Sequence, residues 1–262
     1  MENFKITPFD PSRIKPTATV QFIGKRGSGK STLINDVLYH NRDKFRYGIG
    51  MSPTDEATKG MSSIMPRSSV YSNFSKEAIE RMLDTQRVAV NRHPDRNNNM
   101  FLIMDDCAFD KKTFSSTTIR EVFMNGRHRK IFYVNSVQYM MDMPSFLRGQ
   151  IDYVFAMQDN QHDNKERLWK YFFGIFPDYK SFNTVFENCT NDFGCLVMDT
   201  TVRSNKIEDC IFWYRADPNL PKFKLCAEIF WKLDEKYFVD DLQRDEPEHD
   251  EEHGVMVVKV PK

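Results

Sequence analysis

The sequence lacks the features that mark membrane and secreted proteins. Its apolar runs, such as residues 100–104, are far shorter than the ~20 residues that a membrane-spanning helix needs. The first residues lack the apolar core of a secretory signal. No two of the five cysteines form a C-x-x-C pair, so neither a zinc ribbon nor a disulfide framework is indicated. We therefore expect an intracellular protein with reduced thiols and no membrane span.

The sequence also lacks a net charge, because its 37 basic residues are matched by 37 acidic residues. This balance excludes a globally cationic surface for nucleic acid, although the stretch 127–130 is locally basic. The acidic run 245–252 indicates a peripheral tail. The chain has 262 residues, 40% of them hydrophobic, and can therefore bury the core of one main domain.

What the sequence does contain is a complete phosphate-binding loop. Residues 24–31 read G-K-R-G-S-G-K-S, and they join an apolar run to a helical pattern over 32–39. In this setting backbone N–H groups and the positive end of the helix face the phosphates. Lys30 is expected to reach the β and γ phosphates, and the Ser31 hydroxyl to bind Mg²⁺. The predicted nucleotide-binding residues are Gly24, Lys25, Arg26, Gly27, Ser28, Gly29, Lys30, Ser31 and Thr32.

A second motif is a fully apolar strand that ends in two carboxylates, Asp105 and Asp106. Open α/β sheets bind ligands at the carboxyl ends of their strands. We therefore predict that Asp105 holds Mg²⁺, directly or through water, and that Asp106 polarises the water that attacks the γ phosphate. The alternative is a strand that simply ends in two solvated acids. The sequence between Lys30 and Asp105 leaves room for a helix, a strand and a second helix, so the two motif strands are not sequence neighbours.

The next strand along the chain, 131–136, also leads into polar residues. Asn135, Ser136 and Gln138 each qualify as a group that contacts the γ phosphate or the attacking water, and the sequence does not order them. An ordinary strand-to-loop transition is the alternative. A GTPase is excluded because neither Asn-Lys pair of the sequence continues to the aspartate of an N-K-x-D motif.

Strand and helix patterns alternate along the chain, which predicts an α/β P-loop NTPase with a mainly parallel sheet flanked by helices. Further strands are predicted at 45–51, 153–157, 193–198 and 210–214. Helices are predicted at 76–91, from about Ser116, at 145–150, around 182–186 and at 226–242. Residues 55–74 are predicted to form a surface loop. We divide the chain into an N-terminal arm (1–15), an ATPase domain (16–220), a helical segment (221–244) and an acidic tail (245–262).

Together these motifs resemble the genome-packaging ATPases of large nucleocytoplasmic DNA viruses, which belong to the FtsK/HerA group of DNA-translocating motors. The resemblance runs from about residue 15 to about residue 215. It is carried by segments 24–31, 51–54, 105–106, 125–128 and 137–139. It implies an ATP-driven homo-oligomeric ring, a pentamer or hexamer, that threads double-stranded DNA into a preformed capsid.

The resemblance also implies viral capsid or portal proteins as partners, and a location in the host cytoplasm, the viral factory or the virion. One departure is Asp106, where bacterial members usually carry glutamate, a longer side chain that reaches the water more easily. The viral branch is similar to this chain in having two aspartates.

Ring motors usually insert an arginine into the site of a neighbouring subunit, because transition-state charge on the phosphoryl group needs a cation. Arg127 and Arg148 are the candidates, with Arg127 slightly favoured because Gly126 ends the preceding helix. The alternative is that each arginine caps a helix or contacts DNA. The neighbouring His128, Arg129 and Lys130 are candidate contacts to the phosphate backbone.

Two other functions stay open at this point. A nucleoside or nucleotide kinase also has a phosphate loop, and the basic segment 127–130 would suit a lid over two phosphates. A clamp that binds ATP and DNA without turnover is the third possibility. An attached nuclease domain is not indicated, because the C-terminal remainder is short and has no cluster of metal-binding acids.

Overall fold

A mainly parallel sheet forms the centre of the fold in a computed structural model that describes residues 4–107, 114–139 and 143–238. Its strands are β1 (Thr7–Pro8), β2 (Thr19–Ile23), β3 (Tyr47–Met51), β4 (Val70–Tyr71), β5 (Met100–Asp105), β6 (Ile131–Val137), β7 (Tyr153–Met157), β8 (Gly194–Asp199) and β9 (Ile211–Arg215). The order across the sheet is β1-β9-β8-β7-β2-β6-β5-β3-β4. Only β8 runs antiparallel to its neighbours among these strands, which confirms the predicted fold class.

Helices cover both faces of this sheet. They are α1 (Lys30–Asn41), α2 (Asp55–Ile64), α3 (Lys76–Arg92), α4 (Thr117–Asn125), α5 (Ser145–Arg148), α6 (His162–Phe172), α7 (Tyr179–Cys189), α8 (Ile207–Cys210) and α9 (Glu228–Tyr237). Two begin at the serine caps that the sequence indicates: the Ser75 side chain accepts a hydrogen bond from the Ala78 N–H, and Ser116 accepts one from the Ile119 N–H.

The sheet separates two apolar layers. Side chains of β2, β5 and β6 alternate between them, so that Phe132 and Val134 pack with α1 and α2, whereas Tyr133 and Val137 pack with α3, α4, α6 and α7. This double cover explains why the central strands are continuous apolar runs rather than alternating ones. The aromatic region around α6 and α7, including Phe182, belongs to the core.

The prediction for residues 55–74 was wrong. This stretch contains α2 and the short strand β4 instead of a surface loop. The buried residues Met61, Ile64 and Met65 anchor it to the α1 side of the sheet. Gly60 and two serines weaken the helical pattern in the sequence, and the burial of the methionines outweighs that weak local propensity.

The strands predicted at 193–198 and 210–214 are present as β8 and β9, which pair antiparallel, and the short helix α8 lies in their connection. At the chain's beginning, β1 pairs with β9 at one edge of the sheet. The proposed domain boundaries stay predictions, and the acidic tail 245–262 lies outside the described residues. Within the described ranges, no helix is both long and apolar enough to cross a bilayer.

Candidate active site

The phosphate loop has the geometry that its sequence predicts. It leaves β2 at Ile23 and enters α1 at Lys30, at the carboxyl edge of the sheet. Gly27 and Gly29 have φ angles of 76° and 92°, in the left-handed region that glycine adopts without steric strain. Gly29 is also the N-cap of α1, so the loop delivers the chain directly to the positive end of a helix. This arrangement provides unpaired N–H groups for an anion.

Lys30 connects the phosphate loop to the carboxylates that follow β5. Its Nζ donates a hydrogen bond of 2.7 Å to the carbonyl oxygen of Gly24 and lies 3.6 Å from Oδ2 of Asp106. The side chain is 7% exposed, so its charge is held in a poorly solvated position. Two motifs far apart in the sequence therefore meet in one site.

Asp105 is buried at the end of β5, where its Oδ1 accepts a hydrogen bond from the Ser136 hydroxyl. Burial raises the pKa of the Asp105 carboxyl; the Ser136 hydrogen bond opposes the rise, the Asp106 charge adds to it, and Lys30 opposes it. The protein neighbours of the ionised Asp105 carboxylate therefore offset only part of its negative charge. A cation bound at this position would offset the remainder.

Asp106 leaves the strand in a left-handed conformation, with φ of 50°, which costs about 1–2 kcal/mol for a residue with a Cβ. Its N–H donates to the backbone carbonyl (3.3 Å) and the hydroxyl (3.2 Å) of Ser136. Its Oδ2 accepts a hydrogen bond of 3.3 Å from Nε2 of Gln138. The turn therefore aims the second carboxylate at Lys30 and Gln138.

The three polar residues of β6 and its end have three different environments. Ser136 contacts Asp105 and Gln138 contacts Asp106, whereas Asn135 points to the opposite face and donates a hydrogen bond of 2.7 Å to Gln21. The Asn135 Oδ1 is buried and has no hydrogen-bond partner among the described residues. Gln21 was missed by the sequence reasoning, although a glutamine in the middle of an apolar strand signals a buried polar pair.

The residues predicted to bind Mg²⁺ lie close enough to share a cavity. Ser31 and Asp105 both line a space of about 70 Å³ between α1, α2 and β5, with Asn35 and Glu56 at its wall. Hydroxyl and carboxylate oxygens are the ligands that Mg²⁺ prefers. These oxygen donors include the Asp105 carboxylate, whose negative charge is only partly offset by its neighbours, and they fit a magnesium ion.

The arginine candidates lie away from this site. Arg127 precedes β6 at the amino edge of the sheet, where its Nη2 lies 2.5 Å from Oδ1 of Asp152. The Asp152 Oδ2 accepts a hydrogen bond of 2.9 Å from the Thr19 N–H. Arg148 donates to the Met143 carbonyl (2.6 Å), and its guanidinium lies 4.0 Å from the ring centroid of Tyr171. Neither arginine reaches the phosphate loop of its own chain.

The three basic residues next to Arg127 differ in their exposure and in their contacts. His128 is exposed, whereas Arg129 pairs with Glu121 and also donates 3.0 Å to the Leu83 carbonyl. The Lys130 Nζ donates to two loop carbonyls, those of Pro94 (2.6 Å) and Arg96 (3.1 Å). The Lys130 side chain thus holds the loop after α3 against the start of β6, and the Arg129 side chain links α3 to α4.

The fold and site together define a P-loop NTPase with a mainly parallel sheet. The phosphate loop follows β2, the paired acids follow β5, and β6 lies between these two strands in the sheet. Polar groups of β6 contact both acids.

The chain belongs to the Poxvirus A32 protein family, whose model matches residues 11–172. The resemblance to viral genome-packaging ATPases is thereby confirmed. Uncharacterized protein L437 of Acanthamoeba polyphaga mimivirus is 30% identical over 250 residues, which cover 92% of this chain and 87% of the mimivirus protein. Uncharacterized protein 075L of Invertebrate iridescent virus 6 is also 30% identical, over 78% of this chain and 82% of its own length.

Solved structures with similar folds include the genome packaging NTPase B204 of Sulfolobus turreted icosahedral virus 2 in complex with AMPPCP. It has a TM-score of 0.55 and 18% identity, and the match covers 79% of this chain and 100% of B204. ATPases 2 and 3 of EssC from Geobacillus thermodenitrificans have a TM-score of 0.55 and 10% identity, covering 84% of this chain and 43% of that protein. At these identities the likeness shows the fold alone.

Proposed function

We propose that the protein hydrolyses ATP and uses the energy to move double-stranded viral DNA into a capsid. The observation that carries the hydrolytic part is the meeting of Lys30, Asp106 and Gln138 at the carboxyl edge of the sheet. Family membership and the printed name of B204, a genome packaging NTPase, support the DNA-moving part. B204 has been solved with AMPPCP and with ATP-gammaS, which supports ATP as the nucleotide.

Each group has a defined task in this proposal. The N–H groups of residues 24–31 bind the phosphates, and Lys30 exchanges its contacts with Gly24 and Asp106 for the β and γ oxygens. Asp106 accepts a proton from the attacking water, and Gln138 orients that water. Ser136 positions Asp105. Mg²⁺, held by Ser31 and Asp105, would neutralise charge that develops on the phosphate oxygens.

The placement of the polar residues supports Gln138 as the group that senses the γ phosphate in this proposal. It is exposed and contacts Asp106, whereas Ser136 is engaged by Asp105 and Asn135 lies on the other side of the sheet. Asn135 therefore has a structural task in this proposal, which is to pair with Gln21 inside the apolar layer.

A ring of identical subunits is part of the proposal, with capsid or portal proteins and duplex DNA as partners. In a head-to-tail ring, different surfaces of neighbouring subunits meet. A residue far from its own phosphate loop is then available to the neighbour's site. Arg127, whose side chain is 66% exposed, and Arg148 are the candidate arginine fingers. Of the DNA-contact candidates His128, Arg129 and Lys130, His128 is the exposed one.

Mixed rings test the shared site. We expect an Arg127→Ala protein and a Lys30→Ala protein to be inactive alone but partly active when mixed, because some interfaces then join an intact arginine to an intact phosphate loop. The same mixture with Arg148→Ala identifies which arginine acts in trans. If neither mixture recovers ATP hydrolysis, the site is not shared between subunits.

An assay with duplex DNA distinguishes the motor from a kinase. We expect release of inorganic phosphate from ATP, faster in the presence of duplex DNA, with no phosphorylated small molecule among the products. Transfer of the γ phosphate to a nucleoside or nucleotide would replace the proposal by the kinase alternative. ATP and DNA binding without phosphate release would replace it by the clamp.

A further inference from the structure

An exposed phenylalanine lies beside the phosphate loop. Phe193 stands between α7 and β8 and is 69% exposed, the highest value among the large apolar side chains of the described residues. Leaving a ring of this size in water forgoes the stabilisation that its burial would give. Single exposed apolar residues are common, so the exposure alone assigns no role.

The position of the ring relative to the phosphate loop is the second observation. A Cβ built on Gly29 would lie 3.3 Å from Cδ1 of Phe193 and 3.5 Å from Cε of Met157. The ring therefore lies next to Gly29, at the point where the loop enters α1, and leaves no free space for a side chain there. One side of the ring rests on the loop, and most of the rest faces solvent next to the place where phosphates would bind.

The backbone that presents this ring is strained. Asp192 and Phe193 are consecutive left-handed residues, with φ angles of 49° and 60°, a conformation that bulky residues seldom adopt. The turn is held by a hydrogen bond of 2.9 Å from the Gly194 N–H to the Asn191 carbonyl and by Arg215, whose Nη2 lies 3.7 Å from Oδ2 of Asp192. Glycine or asparagine would satisfy this turn with less strain, so turn geometry does not account for the phenylalanine.

The topology of the sheet gives the direction in which a bound nucleotide would run. Asp106 and Gln138 follow β5 and β6, on one side of β2, so the terminal phosphate faces that side. The nucleoside end must then leave toward β7 and β8, on the other side of β2. Because β8 is antiparallel to β7, it starts at the same edge as the phosphate loop, and Phe193 immediately precedes it.

We propose that Phe193 stacks on the base of the bound nucleotide and holds the nucleoside end of ATP. This inference rests on the proposed function, since it takes the loop as an ATP site. Stacking on an aromatic ring is tolerant of base identity, because every base has a π face. Phe193 therefore contributes affinity for the nucleoside without selecting adenine over guanine.

Two ligands separate base binding from phosphate binding. AMPPCP carries a base and a triphosphate chain, whereas inorganic tripolyphosphate carries the chain alone. We expect Phe193→Ala to weaken AMPPCP binding about tenfold in calorimetric titrations, while the affinity for tripolyphosphate changes less than about twofold. Phe193→Trp keeps an aromatic face and should retain AMPPCP affinity, and Phe193→Leu keeps apolar bulk without that face and should not.

Two control variants test whether the effect on binding is specific to Phe193. Tyr237→Ala removes another aromatic side chain, 65% exposed and on α9, and should change neither affinity. Lys30→Ala should weaken the binding of both ligands. If the wild-type protein binds neither ligand, the ATP site itself is refuted; if it binds both, the phosphate site stands whatever Phe193→Ala does.

Three outcomes would overturn the role of Phe193 alone. They are equal affinities of wild type and Phe193→Ala for AMPPCP, an equal loss for both ligands, and full AMPPCP affinity in Phe193→Leu. A change in the sedimentation coefficient of Phe193→Ala without a change in either affinity would assign the ring to a subunit contact instead. Thermal unfolding of each variant checks that the fold is retained.

Discussion

The two edges of the parallel sheet each hold a buried aspartate, and the partners of the two carboxylates differ. At the amino edge, Asp152 accepts a hydrogen bond from the Thr19 N–H and pairs with the Arg127 guanidinium. At the carboxyl edge, Asp105 accepts one hydroxyl hydrogen bond, from Ser136, and has Asp106 as its sequence neighbour. Burial raises the pKa of both carboxyls.

This difference is the basis for our proposal that Asp152 has a structural task and Asp105 a chemical one. The charge of Asp152 has a full cation and a backbone donor within the chain, so it holds β2 and β7 in place. Asp105 has one hydroxyl donor and lies beside a second carboxylate, Asp106, with which it shares the charge of Lys30, and this arrangement favours a bound metal ion and phosphate chemistry. Buried acids in one sheet thus serve different purposes because of their partners, and their burial alone does not tell them apart.

The largest expected effect comes from removing the ammonium at the carboxyl edge. Lys30→Ala should abolish ATP hydrolysis, because no other group in the described residues bridges the phosphate loop and Asp106. Steady-state release of inorganic phosphate measures the rate of ATP hydrolysis. Lys232→Ala, which removes an exposed lysine of α9, is the matched control and should retain wild-type kcat.

Asp106→Asn should bind ATP but hydrolyse it about 10²–10⁴-fold more slowly, because the amide cannot accept the proton of the attacking water. Single-turnover kinetics and nucleotide titration measure the two properties separately. The same change at the other edge, Asp152→Asn, should leave kcat within about twofold. An Asp106→Asn protein with wild-type kcat would remove this residue from the chemistry.

The pH dependence of kcat/KM should distinguish Asp105 from an ordinary surface aspartate. Because burial raises its pKa, Asp105 becomes protonated at a higher pH than usual, and activity should fall as the pH falls through that raised value. Mg²⁺ competes with the proton, so a higher Mg²⁺ concentration should move the acid limb to lower pH. An acid limb that does not respond to Mg²⁺ would contradict the assignment.

The smallest effect, which concerns the free energy of unfolding and not the activity, is expected at the amino edge. Arg127→Ala should lower the free energy of unfolding by about 1 kcal/mol or less, because this side chain is 66% exposed and the pair is screened by solvent. Asp152→Ala should cost about 1–3 kcal/mol, since it also leaves the Thr19 N–H without its acceptor. Urea denaturation measures both. If Arg127→Ala lowered the free energy of unfolding more than Asp152→Ala did, this interpretation of the Arg127–Asp152 pair would be wrong.

The parts of the site that are local in sequence were predictable. The phosphate loop is set by its glycines, and the helices after Ser75 and Ser116 are set by side chains that cap them. The strand before Asp105 is predictable because it is apolar on both faces. In each case the residues that determine the local structure lie within one short stretch of sequence.

The remaining parts depend on contacts between distant segments. Asn135 and Ser136 occupy opposite faces of β6, but a strand that is apolar on both faces gives no sign of which face meets α1. Phe193 reaches Gly29 only because β8 pairs with β7, and Gln21 meets Asn135 only because β2 pairs with β6. Strand pairings of this kind are determined by tertiary packing, and no local sequence pattern indicates them.

Displacement of a third strand from duplex DNA tests the central claim of a DNA-moving ATPase most directly. We expect the protein to release a triplex-forming strand from a long duplex when ATP and Mg²⁺ are supplied. Release should fail with AMPPCP and with the Asp106→Asn protein, which binds nucleotide without turnover. DNA-stimulated hydrolysis of ATP without any strand release would contradict the claim that this ATPase moves along DNA.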